Sequence, residues 1–355
     1  MTKLSHLLPH KDKIITVYPT YAYAGGQSDG ASWTFKQRVW VHKPRRADFI
    51  PDKLIRRLLD DEGTLKESEI LRCRECIEDF VADDDSGEDV AFTFDGDAEV
   101  FRFSDETNNN GLVEQQFTLS DARAKELLRK QNSSGGWLTL TVKVGGQEGR
   151  GRVRVIEGEG LSVVSDIDDT IKVSEIPAGG KIVLRNTFLR DYVPAPQMLE
   201  RYKAFGDVSF HYVSGSPWQL FRLLHTFLIE RGGFPEGTFH MKSLSKNLLD
   251  ISKFIEDIKN FVAGKTYTQQ QKIGQISELM QNLPRRKFYL IGDSGELDPE
   301  VFLEIRKRFP AQVEKIMIRD VVDAKTKTPQ RLAGVDEIIE AGHPFITHGV
   351  TQFRD

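Results

Sequence analysis

The stretch 161–176 reads LSVVSDIDDTIKVSEI, and it decides the fold of the C-terminal half. It begins with an apolar run and changes at Asp166 to a polar segment that also contains Asp168 and Asp169. Near-continuous apolar strands are typical of parallel sheets that are covered on both faces. Because ligands of open α/β sheets bind outside the carboxyl ends of the strands, we expect Asp166 and Asp168 to lie at a ligand site.

Two further apolar runs end in the same way. The run 208–213 (VSFHYV) leads into Ser214 and Gly215, and the run 288–291 (FYLI) leads into GDSGELD, which contains Asp293 and Asp298. Helical stretches separate these runs, and a fourth apolar run, EKIMIRDV, covers 314–321. This alternation predicts an α/β domain with a parallel sheet and helices on both faces.

The N-terminal half has a different pattern of short β-branched or aromatic runs separated by Gly, Asp and Asn clusters. These runs predict strands of an antiparallel, sandwich-like, mainly β domain at 14–18, 34–42, 90–94, 99–103, 136–144 and 152–156. A helical period near 51–82 interrupts them. We therefore predict a β-rich domain over 1–157 with a helical insertion, followed by an α/β domain over 158–355.

Composition excludes several classes of protein. The 355 residues carry 49 Lys+Arg and 53 Asp+Glu, a net charge of −4, which argues against a dedicated nucleic-acid binder. No run reaches the roughly 18 apolar residues of a membrane span, and the N-terminus lacks a signal-peptide core. We expect a cytoplasmic protein without a transmembrane segment. The 2 cysteines, Cys73 and Cys76, form a CxxC that fits either a helix core or a redox or zinc pair.

Four segments, in chain order, resemble the signatures of the haloacid dehalogenase (HAD) superfamily of phosphotransferases: DIDDT at 166–170, YVSGSP at 212–217, Lys272 and GDSGELD at 292–298. The longer segments 165–176, 210–237, 290–300 and 318–321 resemble, more narrowly, the catalytic domain of the actin-patch-associated, Mg-dependent phosphatidate phosphatases. The similarity covers about residues 160–322.

The resemblance implies a nucleophile and an acid–base group. Asp166 would attack phosphorus to form an aspartyl phosphate, and Asp168 would protonate the leaving oxygen and then take a proton from water. Thr170 would fix the local turn at the substrate. Asp169 we expect to accept hydrogen bonds from nearby backbone N–H groups.

The resemblance also implies groups that bind the phosphoryl oxygens. Ser214, the backbone N–H of Gly215 and Lys272 would contact them. We expect Lys272 at the start of a helix, pointing away from the core; other lysines of the same polar stretch are Lys253, Lys259 and Lys265. Arg319 would either reach the substrate or form a structural ion pair.

A phosphoryl group beside carboxylates needs a cation, and hard oxygen ligands select Mg²⁺. The implied ligands are Asp166, the backbone carbonyl of Asp168, Asp293 and Asp298. Four residues separate Asp293 from Asp298, a spacing that the narrower family shares, whereas many HAD enzymes have three.

Spacing predicts an open site, because Ser214 follows Asp166 by 48 positions and Lys272 follows Ser214 by 58, which leaves no room for a large cap. A flap is expected over 172–193, with Phe188, Leu189 and Tyr192 either exposed at the mouth or packed inside. The family resemblance implies phosphatidate, a phosphorylated lipid at a membrane surface, as substrate. Basic patches at 43–46 (KPRR) and 285–287 (RRK) would contact the membrane or be ordinary turns.

Two alternatives remain open from the sequence. One is a HAD phosphatase for a phosphoprotein or a nucleic-acid end, and the other is an inactive HAD-like module that binds a membrane or a protein. The presence of every expected catalytic residue type favours an enzyme.

Overall fold

The computed structural model describes residues 13–25, 32–45, 48, 50–58, 65–243 and 265–341. These residues divide into two compact units, one within 1–47 and 77–155 and the other within 48–76 and 156–355. The second unit thus includes residues 48–76, which the sequence had assigned to the first domain. Within this unit Arg72 forms an ion pair with the exposed Asp191 at 3.2 Å.

The described part of the first unit contains one nine-stranded sheet. Its main order is β1-β3-β2-β9-β8-β5-β6, and β4 and β7 also pair with β3. All pairs are antiparallel except β2 with β9. The strands are β1 (Ile14–Val17), β2 (Thr20–Gly25), β3 (Ser32–Lys43), β4 (Asp83–Asp84), β5 (Ala91–Phe94), β6 (Phe101–Arg102), β7 (Leu112–Ser120), β8 (Trp137–Val144) and β9 (Gln147–Val155).

Aromatic side chains from separate strands form the core of the first unit. The ring of Phe35 on β3 lies 6.3 Å from that of Phe92 and 6.1 Å from that of Phe94, both on β5. Since β3 and β5 are not neighbours in the sheet, the sheet folds over its own core. The sequence prediction of a mainly β region is confirmed.

Helices of the segment 50–82 match the predicted interruption. They are α1 (Asp52–Leu58) and α2 (Glu67–Val81). Cys73 and Cys76 lie buried on α2 as free thiols. Burial raises the pKa of Cys73 to about 12 and that of Cys76 to about 11, so both are protonated at neutral pH. These thiols fit the helix-core interpretation.

Four described elements of the first unit were missed from the sequence: β2, β4, β7 and the helix α3 (Asp121–Lys130). The hydroxyl oxygen of Ser120 accepts a hydrogen bond from the backbone N–H of Arg123 and so caps α3. A serine before an acidic first turn is a standard signal for a helix start, and it was present in the sequence.

The second unit contains a six-stranded sheet in the order β12-β11-β10-β13-β14-β15. Every pair is parallel, as the buried apolar runs predicted. The strands are β10 (Leu161–Ser165), β11 (Ser209–Pro217), β12 (Gly237–Lys242), β13 (Lys287–Asp293), β14 (Val313–Asp320) and β15 (Glu337–Glu340).

The strand order reverses between β10 and β13. From β10 the chain extends the sheet through β11 to β12, and it then returns to build β13, β14 and β15 on the other side. Ser165 pairs with Ile291, so Asp166 and Asp293 follow at the same edge. Ligands of such sheets bind in the crevice at this reversal. The topology alone therefore brings the two acidic strand ends together.

Helices and short helical turns connect these strands. The helices are α4 (Gly180–Phe188), α5 (Met198–Lys203), α6 (Phe221–His225), α7 (Lys265–Asn282), α8 (Asp298–Arg308) and α9 (Ala324–Lys327). A π-helical turn over Thr226–Arg231 continues α6, and 3₁₀ turns cover Ile176–Ala178, Trp218–Leu220 and Pro329–Leu332. Among the described residues, no helix combines the length and apolar character that a membrane crossing requires.

Candidate functional site

Asp166 lies at the end of the central strand β10. Its backbone N–H donates to the carbonyl of Ile291 at 2.9 Å, which continues the strand pairing to this position. Its side chain is 2% exposed. One carboxylate oxygen, Oδ2, accepts from the hydroxyl of Thr170 at 3.1 Å, and the other, Oδ1, accepts from Lys272 Nζ at 2.7 Å. The carboxylate is therefore fixed at the crevice.

Asp168 is surrounded by hydrogen-bond donors. Its Oδ1 accepts from Lys172 Nζ at 2.7 Å and from the Ser174 hydroxyl at 2.6 Å. Its Oδ2 accepts from the Ser216 hydroxyl at 3.0 Å, and the Ser214 hydroxyl is 3.5 Å away. Burial favours the neutral carboxyl, but the charge of Lys172 and these donors outweigh it and lower the pKa of Asp168 to about 2.

Asp169 shapes the turn between these groups, as expected from the sequence. It has a positive φ of 57°, and its carboxylate accepts hydrogen bonds from the backbone N–H groups of Ser174, Glu175 and Ile176. An Asx-type turn of this kind stabilises a left-handed residue locally. Asp169 therefore fixes the course of the chain that follows Asp168.

Arg319 supports the same turn from β14. Its guanidinium donates to the carbonyl of Asp169 at 2.8 Å and to that of Ala341 at 3.3 Å, and the side chain is 3% exposed. Of the two expectations for Arg319, these contacts fit a structural role behind the acidic loop.

Lys272 lies within α7 and is 2% exposed, so the expectation of a helix start pointing away from the core is wrong. The helix begins at Lys265, before the apolar period that the sequence showed. Lys272 Nζ lies 2.7 Å from an oxygen of Asp166, 2.6 Å from one of Asp298 and 3.1 Å from one of Glu296. Burial disfavours its charge, but the carboxylates raise its pKa well above the ordinary value. Lys253 and Lys259 lie outside the described residues.

Asp293 has one buried oxygen without a hydrogen bond. Its Oδ1 accepts from the backbone N–H groups of Gly295 at 2.6 Å and Glu296 at 3.1 Å, whereas Oδ2 has no partner among the described residues. Burial and the neighbouring carboxylates of Asp298 and Glu296 raise the pKa of Asp293 well above its ordinary value. A buried polar atom of this kind is costly unless another group satisfies it.

A divalent cation fits this place. Asp166, Asp293 and Glu296 each offer a carboxylate oxygen within 4.8 Å of the others, and two of the three are buried. Asp298 adds a fourth carboxylate, whereas Lys272 is the cation that the cluster contacts. Hard carboxylate oxygens are the donors that Mg²⁺ and similar ions prefer.

The carboxylates that lie close enough together to share a cation differ from the predicted metal ligands. It keeps Asp166 and Asp293, but Glu296 joins them, and Glu296 was not singled out from the sequence although it lies in GDSGELD. Asp298 contacts Lys272, and its Oδ2 accepts from the Asp293 backbone N–H at 3.2 Å. This places Asp298 where it orients Lys272 and the end of β13. The set comprises side-chain oxygens, so the backbone carbonyl of Asp168 stays a predicted ligand.

Arg331 holds the loop that carries Glu296. Its guanidinium donates to the carbonyl of Ser294 at 2.9 Å and to that of Glu296 at 2.7 Å. The same group pairs with Glu300 at 2.6 Å. Arg331 comes from the 3₁₀ turn after α9, and no sequence spacing connected it to the site.

The end of β11 forms the opposite side of the crevice. The Ser214 hydroxyl oxygen accepts from the backbone N–H of Ser216 at 3.0 Å. A side chain at Gly215 would not fit, because its Cβ would lie 2.6 Å from Cγ2 of Thr268 on α7. The glycine therefore permits close packing between the β11 loop and α7. Ser216, which binds Asp168, was quoted in the SGSP motif without a role.

The segment 172–193 contains one 3₁₀ turn and α4. Phe188 and Leu189 are 1% and 9% exposed, so they pack inside. The Tyr192 ring lies 4.7 Å from Lys172 Nζ and 5.6 Å from the Phe227 ring. Val193, beside it, is 54% exposed. The predicted flap therefore exposes one large hydrophobic side chain, Val193, at its end, and the smaller apolar residues Pro177 and Ala178 in its turn.

Fold and site together define an α/β protein whose parallel sheet carries a carboxylate cluster, a buried lysine and serine hydroxyls at its carboxyl edge. Comparison with known families narrows this class. Residues 161–320 match the family described as phosphatidate phosphatase APP1, catalytic domain. The resemblance inferred from the sequence motifs is thereby confirmed over this segment, which is less than half of the chain.

Two curated relatives match. One is phosphatidate phosphatase APP1 of Saccharomyces cerevisiae, 31% identical over 190 residues, which are 51% of this chain and 30% of that protein. The other is an uncharacterized protein of Schizosaccharomyces pombe, 28% identical over 179 residues, which are 48% of this chain and 27% of that protein. The matched segments thus span less than a third of each relative.

Among solved structures, a carbohydrate acetylesterase from Xanthomonas citri aligns over 74% of this chain and 65% of its own, with 13% identity and a TM-score of 0.24. A likeness at this level carries no argument about fold or function.

Proposed function

We propose that residues 158–355 form a HAD-like, Mg²⁺-dependent phosphomonoesterase that hydrolyses phosphatidate to diacylglycerol and phosphate. The observation that carries the proposal is the carboxylate cluster of Asp166, Asp293 and Glu296 beside Lys272, within a segment that matches a phosphatidate phosphatase catalytic domain. The domain boundary, the catalytic roles and the choice of Mg²⁺ are parts of this proposal.

In the first step, a carboxylate oxygen of Asp166 attacks the substrate phosphorus. A P–O bond to Asp166 forms, the ester P–O bond breaks, and the leaving oxygen takes a proton from Asp168. Without substrate, Asp168 is ionised. An anionic phosphoryl group beside it favours uptake of a proton, because like charges disfavour the ionised carboxyl.

In the second step, water attacks the phosphorus of the aspartyl phosphate. Asp168 accepts a proton from that water, the P–O bond to Asp166 breaks, and phosphate is released. The hydroxyl of Thr170, which donates to Asp166 Oδ2 at 3.1 Å, would hold the returning carboxylate in place.

The phosphoryl oxygens would be bound by Ser214, the backbone N–H of Gly215 and Lys272. Lys272 already contacts Asp166 at 2.7 Å, so its charge would lie beside a phosphoryl group transferred to Asp166. Asp166, Asp293 and Glu296 would hold Mg²⁺, with Asp298 orienting Lys272. When bound, the ion would neutralise phosphoryl charge and polarise phosphoryl oxygens.

The lipid substrate is proposed from the relative's name and from the short connections around the site. The longest described insertion between β10 and β11 is the segment with α4, whose side chains Phe188 and Leu189 are buried. Because the described connections form no large cap, we propose that the site is accessible to a lipid head group at a membrane surface. We propose peripheral, transient membrane binding and a cytoplasmic location.

The two basic patches have partners within the protein, which favours the turn interpretation over a membrane contact. Lys43 and Arg45 pair with Asp85 at 3.0 Å and Asp83 at 3.2 Å, and Arg46 lies outside the described residues. In the other patch, the Arg286 guanidinium is buried and donates to backbone carbonyls such as that of Leu161. The turn interpretation of both patches is therefore the better one.

The test is phosphate release from phosphatidate in detergent micelles and from a soluble aryl phosphate, with Mg²⁺ and with EDTA. The expected result is metal-dependent release that is faster from the lipid and lost in Asp166→Asn, with folding checked by circular dichroism. Release from the aryl phosphate alone would favour a phosphatase with another substrate. No release from either by folded protein would favour a binding module.

A further inference from the structure

Lys172, four residues after Asp168, places its ammonium group against the Asp168 carboxylate. The sequence motifs assigned Lys172 no catalytic role. Lys172 Nζ donates to Asp168 Oδ1 at 2.7 Å and to the Ser174 hydroxyl at 2.5 Å. The Ser174 hydroxyl in turn donates to the same Oδ1 at 2.6 Å. Lys172 and Ser174 thus act on one oxygen of Asp168.

Lys172 is fixed at its backbone as well as at its tip. Its N–H donates to the carbonyl of Ile167 at 3.0 Å, and its carbonyl accepts from the Asp169 N–H at 2.7 Å. The side chain therefore starts from a closed turn around Asp168 itself. Such a turn leaves the lysine few alternative directions.

The ammonium of Lys172 is kept from water. The residue is 2% exposed, and the Tyr192 ring covers it at 4.7 Å. A cation against an aromatic face without water interacts more strongly with its remaining partners than an exposed one does. The Tyr192 ring is itself packed against Phe227 at 5.6 Å. The charge of Lys172 is therefore directed at Asp168.

The other oxygen of Asp168 faces the crevice. Oδ2 accepts from Ser216 at 3.0 Å and lies 3.5 Å from the hydroxyl of Ser214, which is proposed to bind the phosphoryl group. Oδ2 is thus the oxygen of Asp168 that lies next to the proposed phosphoryl-binding hydroxyl. Occupation of Oδ1 by Lys172 and Ser174 leaves Oδ2 as the atom that exchanges a proton with the leaving oxygen and with water.

We infer that Lys172, covered by Tyr192 and assisted by Ser174, is a positioning residue that aims Asp168 Oδ2 at the leaving oxygen. The inference rests on the proposed function. The step it serves is the breaking of the ester P–O bond, whose electron pair stays on the leaving oxygen, which receives its proton from Oδ2.

The leaving group supplies the test. An alkoxide needs a proton as the P–O bond breaks, whereas a thiolate leaves without one, so a misplaced acid slows only the oxygen ester. The two substrates are phosphatidate and its analogue in which sulfur replaces the oxygen between phosphorus and glycerol. Both present the same lipid surface. The measured quantity is kcat/KM, which reports the first irreversible step.

Lys172→Met is expected to lower kcat/KM for phosphatidate by about 100-fold, the lower end of the contribution of general acid–base catalysis, and that for the sulfur analogue by less than about 10-fold. Asp168→Asn should show the same selectivity, and Asp166→Asn should lose activity on both substrates. Lys181→Met, which changes an exposed lysine of the same segment, is the matched control and should leave both values unchanged.

An equal loss on the two substrates, or no loss, in folded Lys172→Met would overturn the inference while leaving the proposed function intact. Inactivity of the wild type on both substrates would instead overturn the proposed function. If Lys172→Met fails to fold, Ser174→Ala provides the test of the inference, because it removes the second donor to Asp168 Oδ1. It should show the same selectivity with a smaller loss, and an unselective loss there would also overturn the inference.

Discussion

At the scale of one residue, the buried carboxylate of Asp293 explains why a cation would stabilise the site. Two backbone N–H groups satisfy its Oδ1, but Oδ2 is buried without a hydrogen bond among the described residues. Asp298 and Glu296 add negative charge close to it. In the absence of an ion this arrangement costs folding free energy, and a bound divalent ion would recover it.

Asp293→Asn tests this cost. The amide oxygen can still accept from Gly295 and Glu296, while the buried charge is removed. Loss of the charge repulsion with Asp298 and Glu296 should stabilise the metal-free protein, and a gain of about 1 kcal/mol raises the melting temperature of a unit of this size by about 2–4 °C. Added Mg²⁺ should stabilise the wild type and leave Asp293→Asn unchanged in a thermal melt. Asp207→Asn, an exposed substitution in the same unit, is the control. A stabilisation by Mg²⁺ of wild-type size in Asp293→Asn would contradict the cation site.

Position at a strand end predicted some site residues, and the family motifs supplied others such as Asp168 and Asp298, but Glu296 and Lys172 were not predicted. Asp166, Ser214 and Asp293 follow apolar runs, so the topology of a parallel sheet places them at one edge. Glu296 and Lys172 reach the site only through turns whose course depends on hydrogen bonds, such as those that Asp169 accepts. The sequence names such residues, but it does not give the turn.

Strand β11 and helix α7 meet at a contact that tolerates no side chain on Gly215. A Cβ there would lie 2.6 Å from Cγ2 of Thr268, closer than such atoms approach in proteins. Either the β11 loop or the N-terminal part of α7 would have to move. Ser214 is on the first of these elements and Lys272 is on the second, so a shift would separate two groups proposed to bind the phosphoryl oxygens.

Gly215→Ala should therefore lower kcat/KM for phosphatidate by about 100-fold, the effect expected for a displacement of about 1 Å. Thr268→Ala removes the clashing methyl group, and the double variant Gly215→Ala with Thr268→Ala should recover most of the loss. Steady-state kinetics of the four proteins form a double-mutant cycle. Losses that simply add would contradict a steric coupling between β11 and α7.

Strands with near-continuous apolar runs were predicted better than the helix α7, whose first turns have no apolar period. The apolar runs of β10, β11, β13 and β14 were identified, because burial on both faces leaves little choice of residue. The start of α7 was placed too late, since its first turns, KTYTQQQ, carry no apolar period. Lys272 therefore appeared to be exposed at a helix start, whereas packing of the whole helix buries it.

At the scale of the whole molecule, the two units differ in their class of sheet and in the match to a known family. The second unit contains the six-stranded parallel sheet and the segment 161–320 that matches a catalytic domain. The first unit has a well-packed aromatic core, and its strand pattern predicted its β class.

The most direct test of the central claim is to identify the residue that carries phosphate during turnover. Wild-type protein with Mg²⁺ and phosphatidate is quenched with acid within the first turnover and reduced with borohydride, which converts an aspartyl phosphate to homoserine. Peptide mass spectrometry should find homoserine at position 166, and Asp166→Asn should show none. Turnover without modification of Asp166, or modification of another carboxylate such as Asp168, would contradict the account.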